Sequence, residues 1–273
     1  MRHDRGPRLL LTDRDACVFL ERARIRCDGD RVVYDQVESG TTRVFSIPHC
    51  NVAVLLLGQG TSLTQEAARL LGEEGVYVAF TGTGGSPLHM GSLTNYQPSD
   101  YVRRMAGVSL SDDARLRAAK HLFVLRCRYL EKTGFKIAIR LNPDFESQRE
   151  AIYNVVSTFT KQFERSGSVQ DLLLKEAGYA KGLYKIFAQF QSLEGFQREH
   201  QKRSLANPVD IANSRLDHGN YIAYGLAGAA LWVMGVPMSF SVLHGKTRAG
   251  GLIFDLADVY KDSFVLPHAF LSN

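Results

Sequence analysis

Cysteine is scarce: four occur in 273 residues, Cys17, Cys27, Cys50 and Cys127, and no two form a CxxC or CxxxC pair. That spacing argues against a zinc ribbon and against a dense disulfide framework, and a reducing compartment is the simplest setting for it. A long apolar run near the amino terminus is missing too. MRHDRGPRLLLTDRD offers three leucines before charge returns, too few for the apolar region of a secretion signal, so a cytoplasmic protein is expected. In the stretch HGKTRAGGLIFDLAD, Gly245-Lys246-Thr247 resembles the end of a phosphate-binding Walker A loop, but the glycine needed five residues before Gly245 is Phe240, and Gly250 and Gly251 interrupt any helix that should follow at once. No GxSxG elbow supplies a serine nucleophile. A nucleotide triphosphatase and a serine hydrolase are therefore both disfavoured.

No Asp, Glu, Lys or Arg occurs from His218 to Gly245, a stretch long enough to span a bilayer. Its several glycines, two tyrosines and a break at Pro237 make it read instead as the buried centre of a helical domain. Elsewhere charge is plentiful but uneven. Residues 1–95 carry a slight acidic excess, with arginine and no lysine, whereas the remainder is basic and brings the whole to +5. A basic second part suits a polyanion such as nucleic acid, although an excess of this size is by itself weak.

The hydrophobic period changes along the chain. Up to about residue 82 it is that of strands: ACVFLERARIRC and RVVYDQ flank an Asp28-Gly29-Asp30 turn, and TRVFSIPH, NVAVLLLG and VYVAF follow. One helix interrupts them, TSLTQEAARLLGEEG, with Ser62 and Gln65 at capping-box spacing and Gly72 and Gly75 as its stop. After a Gly, Ser and Pro-rich linker the period becomes helical, with Leu116, Ala119, Phe123, Cys127 and Leu130 on one stripe. Further helices are expected at about 144–165, 169–193, 215–234 and 252–266, the last closed by Pro267. The expected class is α+β: a β-sandwich-like domain with one helix over residues 1–95, then an all-α domain over 96–273.

Carboxylates stand where core residues should. Plotted at 100° per residue, DLLLKEAGYAKGLYKIFAQF puts Leu172, Leu173, Tyr179, Ala180, Leu183 and Phe187 on one face with Glu176 in its middle. A buried carboxylate needs a cation or several donors, so Glu176 is either half of an ion pair or a catalytic or metal-binding acid. In the last helix Asp255, Asp258 and Asp262 form a narrow stripe of like charge, mildly destabilising unless a cation holds it. Asp255 also suits the first helical turn, and Asp262, near the far end, reads as surface charge. His244 precedes this helix; with Glu and Asp it makes a mixed nitrogen and oxygen donor set suited to Mg²⁺ or Mn²⁺.

Three spaced segments, KEAGYAKGLYK, NPVDIANSRLDHGNYIAYGLAG and SVLHGKTRAGGLIFDLADVYKDSFVLPHAF, resemble the CRISPR-associated integrase that acquires spacers, with wording closest to subtype I-F. IPHCNVAVLLLGQGTSLTQEAARLL and VYVAFTGTGGSPL resemble the amino-terminal domain of the same family. The resemblance implies a β-sandwich followed by a helical catalytic domain, and a divalent metal, Mg²⁺ or Mn²⁺, held by Glu176, His244 and Asp258. It also implies a second acid at Asp255, and DNA contacts at Lys246, Arg248 and Lys261. The implied activity is that of a DNA endonuclease and integrase inserting protospacer DNA into the CRISPR array. The implied partners are DNA, a second copy of the chain in a homodimer, and a small ferredoxin-like Cas protein fused to the helicase-nuclease. Family members usually continue through a further helical tail beyond the position of Asn273 and have a longer segment than Leu88 to Gln97. Two other readings stand beside this one: a DNA-binding scaffold without chemistry, and a general nuclease of branched DNA in repair.

Overall fold

The computed structural model describes residues 16–38, 41–81, 87–91, 99–199, 207–244 and 250–272. The chain divides into two compact units, Met1–Pro98 with Gly228–Gly235, and Ser99–Ala227 with Val236–Asn273.

The first unit holds two four-stranded sheets. β1 (Ala16–Leu20), β5 (Val52–Leu57), β7 (Tyr77–Thr81) and β8 (Pro87–Gly91) lie in that order, parallel except for the last pair. β4 (Thr41–Ile47), β3 (Arg31–Glu38), β2 (Ala23–Asp28) and β6 (Ser62–Leu63) make the other. Val52, Leu55 and Leu57 of β5 are buried together with Ile25, Val32 and Ile47 of the second sheet, and α1 (Gln65–Glu73) adds Ala67 and Leu71 to that core. β5 is buried at almost every position, as its unbroken VAVLLL pattern requires of a strand covered on both faces.

Two local expectations change. ACVFLERARIRC is not one strand: Arg22 adopts a positive φ of 51°, and the chain turns at Glu21-Arg22, so ACVFL and ARIRCD enter different sheets. An apolar-alternating run carries no mark of which sheet its halves will join. The helix cap is Thr64 and not Ser62; Thr64 has extended backbone and its hydroxyl accepts from Ala67 N–H at 3.3 Å, while Ser62 pairs in β6.

The second unit is helical: α2 (Ser99–Ser109), α3 (Asp112–Tyr129), a π turn Leu130–Gly134, α4 (Phe135–Leu141), a 3₁₀ turn Pro143–Gln148, α5 (Arg149–Glu164), α6 (Val169–Phe190), α7 (Pro208–Val233) and α8 (Gly251–Leu271). Ser111 caps α3 and Ser168 caps α6, each accepting a backbone N–H three residues on. The α3 stripe buries Ala119, Phe123 and Cys127, continued by Leu130. These pack with Phe163, Leu172, Tyr179, Leu183, Phe187 and Phe270 in one core. α7 starts at Pro208, well before residue 215, because Asn207 caps it through Asp210 N–H at 2.8 Å and proline tolerates the first helical position. Its last residues belong to the first unit, where Ala229 and Trp232 meet Val54, Leu56, Tyr77 and Ala79.

α8 does not end at Pro267 but runs through it to Leu271. Proline inside a helix costs about 3 kcal/mol or more. Val265, Leu266, Ala269, Phe270 and Leu271 are all buried around it, and their combined burial exceeds that cost. Among the described residues no helix is long and apolar enough to cross a membrane.

Candidate metal centre

α3, α6, α8 and the segment before α8 bring the charged residues of the second unit to one place. Glu176 sits mid-way along α6, Asp258 one turn beyond Asp255 on α8, and His244 at the end of the segment 241–244. One ligand atom from each of Glu176, His244 and Asp258 lies within 4.8 Å of the others, and this is the metal-capable group found among the described residues.

Asp255 stands outside that group and does something else. Its side chain is fully buried, and it accepts from Ser241 Oγ and Val242 N–H at 2.7 Å and from Leu243 N–H and His244 N–H at 3.1 Å. The His244 ring adds Nδ1 at 2.7 Å from Oδ1. An ionised carboxylate only accepts, so Nδ1 carries the proton and Nε2 is directed at Glu176, whose Oε2 is 4.0 Å away. Asp255 is thus the support of the histidine, an arrangement common behind metal-binding imidazoles. Burial pulls the His244 pKa down, but the Asp255 bond and the charges of Asp258, Asp255 and Glu176 raise it overall. Gly251 permits this contact: a Cβ there would stand 2.8 Å from Ser241 Cβ and 3.1 Å from His244 carbonyl carbon.

Two cations meet the acids from the protein side. Arg126, on α3 and 2% exposed, donates through Nε and Nη2 to both oxygens of Asp262 at 2.5 and 3.2 Å and through Nη1 to Glu176 Oε1 at 2.8 Å. The same Nη1 is 3.7 Å from Asp258 Oδ2. Burial works against its charge, yet Asp262, Asp258 and Glu176 hold its pKa well above the ordinary value. Lys261 pairs with Asp258 Oδ1. Burial pushes the Asp258 carboxyl up, but Lys261 and Arg126 outweigh it and hold the pKa at about 2.

The donor set fits a divalent cation. It comprises two carboxylate oxygens and one imidazole nitrogen, with no thiolate, which suits Mg²⁺ or Mn²⁺ better than a soft ion. Glu176, Asp258 and Asp262 face Arg126 and Lys261, and Asp255 backs the imidazole, so with the ring unprotonated, as a ligand must be, four carboxylates stand against two cations and one divalent ion would balance them.

Asp262 is not surface charge: it is 6% exposed and is the principal partner of Arg126. Lys261 does not project outward but spends its charge on Asp258. Lys246 and Arg248 lie outside the described residues. Arg126 is the charged residue that the sequence reading did not single out, although the core-facing Glu176 demanded a cation. It lies at the edge of the α3 stripe, three residues after buried Phe123, and plotting that helix for charges as well as apolar residues would have found it.

One unit of two sheets and one of helices, the latter with a carboxylate and histidine group drawn from three of its segments, define an α+β protein. Residues 17–270 match the family described as CRISPR associated protein Cas1, and the chain belongs to that family. It is 38% identical to the CRISPR-associated endonuclease Cas1 of Pseudomonas aeruginosa over 97% of its own length and 84% of that protein's. It is 34% identical to the protein of the same description from Pectobacterium atrosepticum, over 97% and 83%. The structure of a Cas1 protein from Thermotoga maritima superimposes with a TM-score of 0.71 at 16% identity, covering 92% of this chain and 77% of that one.

Proposed function

We propose that this chain is a divalent-metal-dependent DNA endonuclease and integrase acting in spacer acquisition. The observation that carries the reading is the convergence of Glu176, His244 and Asp258 within 4.8 Å. Those three residues hold Mg²⁺ or Mn²⁺, which when bound polarises a phosphodiester and stabilises a leaving oxygen. The protein's own part is to prepare that place. Asp255 fixes the imidazole with Nδ1 protonated and Nε2 inward, while Arg126 and Lys261 keep Asp258 ionised. The transfer joins a protospacer 3′-hydroxyl to phosphorus in the repeat: the new P–O bond forms as the old one breaks, and the displaced strand leaves with its own 3′-hydroxyl. No bond energy is lost to hydrolysis, so the step needs positioning and charge stabilisation rather than an external energy source.

Lys246 and Arg248, between His244 and Asp258 in sequence, hold the DNA backbone; Lys261, read with them from the sequence, is given the inward role of balancing Asp258. The excess of basic charge beyond residue 95 supports a DNA partner, and family membership supports a homodimer with a small Cas partner, joined in subtype I-F to the helicase-nuclease.

The scaffold reading draws on the Arg126 ion pairs, in which Glu176 is a structural acid. Melting curves beside Mn²⁺-dependent cleavage and strand-transfer assays separate the two. A Glu176→Ala variant that folds and has lost both activities supports the enzyme, and one that unfolds supports the scaffold. Full strand transfer by a folded Asp258→Ala variant would sink the metal assignment. Equal activity on branched and repeat-bearing DNA would favour a general repair nuclease.

A further inference from the structure

Arg126 reaches two of the three proposed ligands at once, and it leaves Glu176 with one oxygen engaged by the protein and the other turned toward the imidazole. Its Nη1 donates to Glu176 Oε1 at 2.8 Å, whereas Glu176 Oε2 is the oxygen turned toward His244 Nε2 at 4.0 Å. Asp258 differs, with Lys261 on Oδ1 and the arginine 3.7 Å from Oδ2, so that a cation stands beside each of its oxygens. The guanidinium is itself clamped. Asp262 takes Nε and Nη2 in a two-pronged pair, and the rings of Tyr179 and Phe123 lie 5.2 and 5.9 Å from its central carbon. A planar fork held on one edge by a carboxylate and against aromatic faces has little freedom left, so the direction of Nη1 is set by the core.

We infer that Arg126 is a positioning residue that holds Glu176 to a single metal-facing oxygen and thereby selects a small octahedral ion over calcium. The inference rests on the metal reading above. With Oε1 engaged, Glu176 can supply one oxygen and not two. Mg²⁺ and Mn²⁺ take carboxylates singly in near-octahedral shells, whereas Ca²⁺ takes more oxygens and favours two from one carboxylate. Removing the fork releases Oε1, lets Glu176 turn, and relaxes the discrimination. Lysine cannot replace it, because one ammonium on a flexible stem cannot grip Asp262 with two nitrogens while directing a third at Glu176.

The test is calorimetric titration of the wild-type protein, Arg126→Lys, and the double variant Arg126→Gln/Asp262→Asn with Mn²⁺ and separately with Ca²⁺. The double variant removes one positive and one negative charge, so the net charge of the cluster is unchanged and simple attraction for a cation is held constant. The wild type is expected to prefer Mn²⁺. In both variants Mn²⁺ should bind about tenfold to a hundredfold more weakly, the usual scale for losing a supporting contact behind a ligand, and the Mn²⁺ to Ca²⁺ preference should fall about tenfold. A folded variant with both quantities within about twofold of wild type overturns the inference while leaving the metal site standing. A wild type that binds no Mn²⁺ overturns both the inference and the metal reading. If neither variant folds, arginine ¹⁵N spectra of the wild type decide. Arg126 Nη signals that keep hindered rotation at saturating Mg²⁺ support the inference, and signals that collapse to free rotation overturn it.

Discussion

Asp255 and His244 are joined twice, through the backbone N–H of His244 at 3.1 Å and through its ring Nδ1 at 2.7 Å, both to the same carboxylate oxygen. One acid thereby sets both where the histidine sits and which way its ring faces. It also gathers Ser241, Val242 and Leu243, so the segment 241–244 has the form it has because a carboxylate lies beneath it.

Asp255→Asn should therefore damage structure and site together. An amide offers a single accepting oxygen, so several donors lose their partner, and each buried polar group left without one costs about 1–3 kcal/mol. Urea unfolding is expected to show a loss of about 2–4 kcal/mol on that basis, with weaker Mn²⁺ binding by calorimetry. An unchanged midpoint would mean that the segment holds its shape without the acid.

Metal should stabilise the fold in proportion to its occupancy. At a concentration one hundred times its dissociation constant a ligand of the native state adds about 2.7 kcal/mol. The melting temperature of the wild type should climb with Mn²⁺ and fall back on chelation, while that of His244→Ala stays flat. Equal rises in the two proteins would place the binding elsewhere.

Lys261→Gln separates the inward and outward roles of that lysine. Its ammonium is paired with Asp258, and loss of one partner of a buried pair leaves the other uncompensated. The metal-free protein should lose about 1–3 kcal/mol in chemical unfolding, and Mn²⁺, by supplying charge at Asp258, should narrow the difference. The salt dependence of DNA affinity should keep its wild-type slope, whereas Lys246→Gln or Arg248→Gln should reduce it by about one. A reduced slope for Lys261→Gln would show that the lysine leaves Asp258 for a phosphate.

Gly134→Ala tests how closely the π turn after α3 approaches α8. A Cβ on Gly134 would stand 2.8 Å from Ser263 Cα, a backbone atom that cannot swing aside. Alanine in place of glycine ordinarily favours helical backbone by about 1 kcal/mol. Here overpacking should prevail, with a net loss of about 1–3 kcal/mol in the unfolding free energy. A stabilised variant would show that the turn and α8 can separate freely.

Much of this was legible in the sequence because it depends on period and spacing. The unbroken apolar run VAVLLL and the β-branched start of RVVYDQ marked strands, the stripe from Leu116 to Leu130 marked α3, and a carboxylate on the apolar face of α6 marked Glu176 as unusual. Each follows from backbone geometry, which repeats every two residues in a strand and every 3.6 in a helix, so that neighbours in sequence report their own side of the chain. Those periods determine which residues face inward. They do not determine what stands opposite. That Asp258 balances Arg126 and Lys261, that Asp262 is buried at Arg126 and not exposed, and that Asp255 supports His244 instead of joining the ligand group were decided by tertiary structure. Arg126 and Asp262 are 136 residues apart, and whether a buried charge meets its counter-ion is a property of packed helices in three dimensions, not of any local pattern.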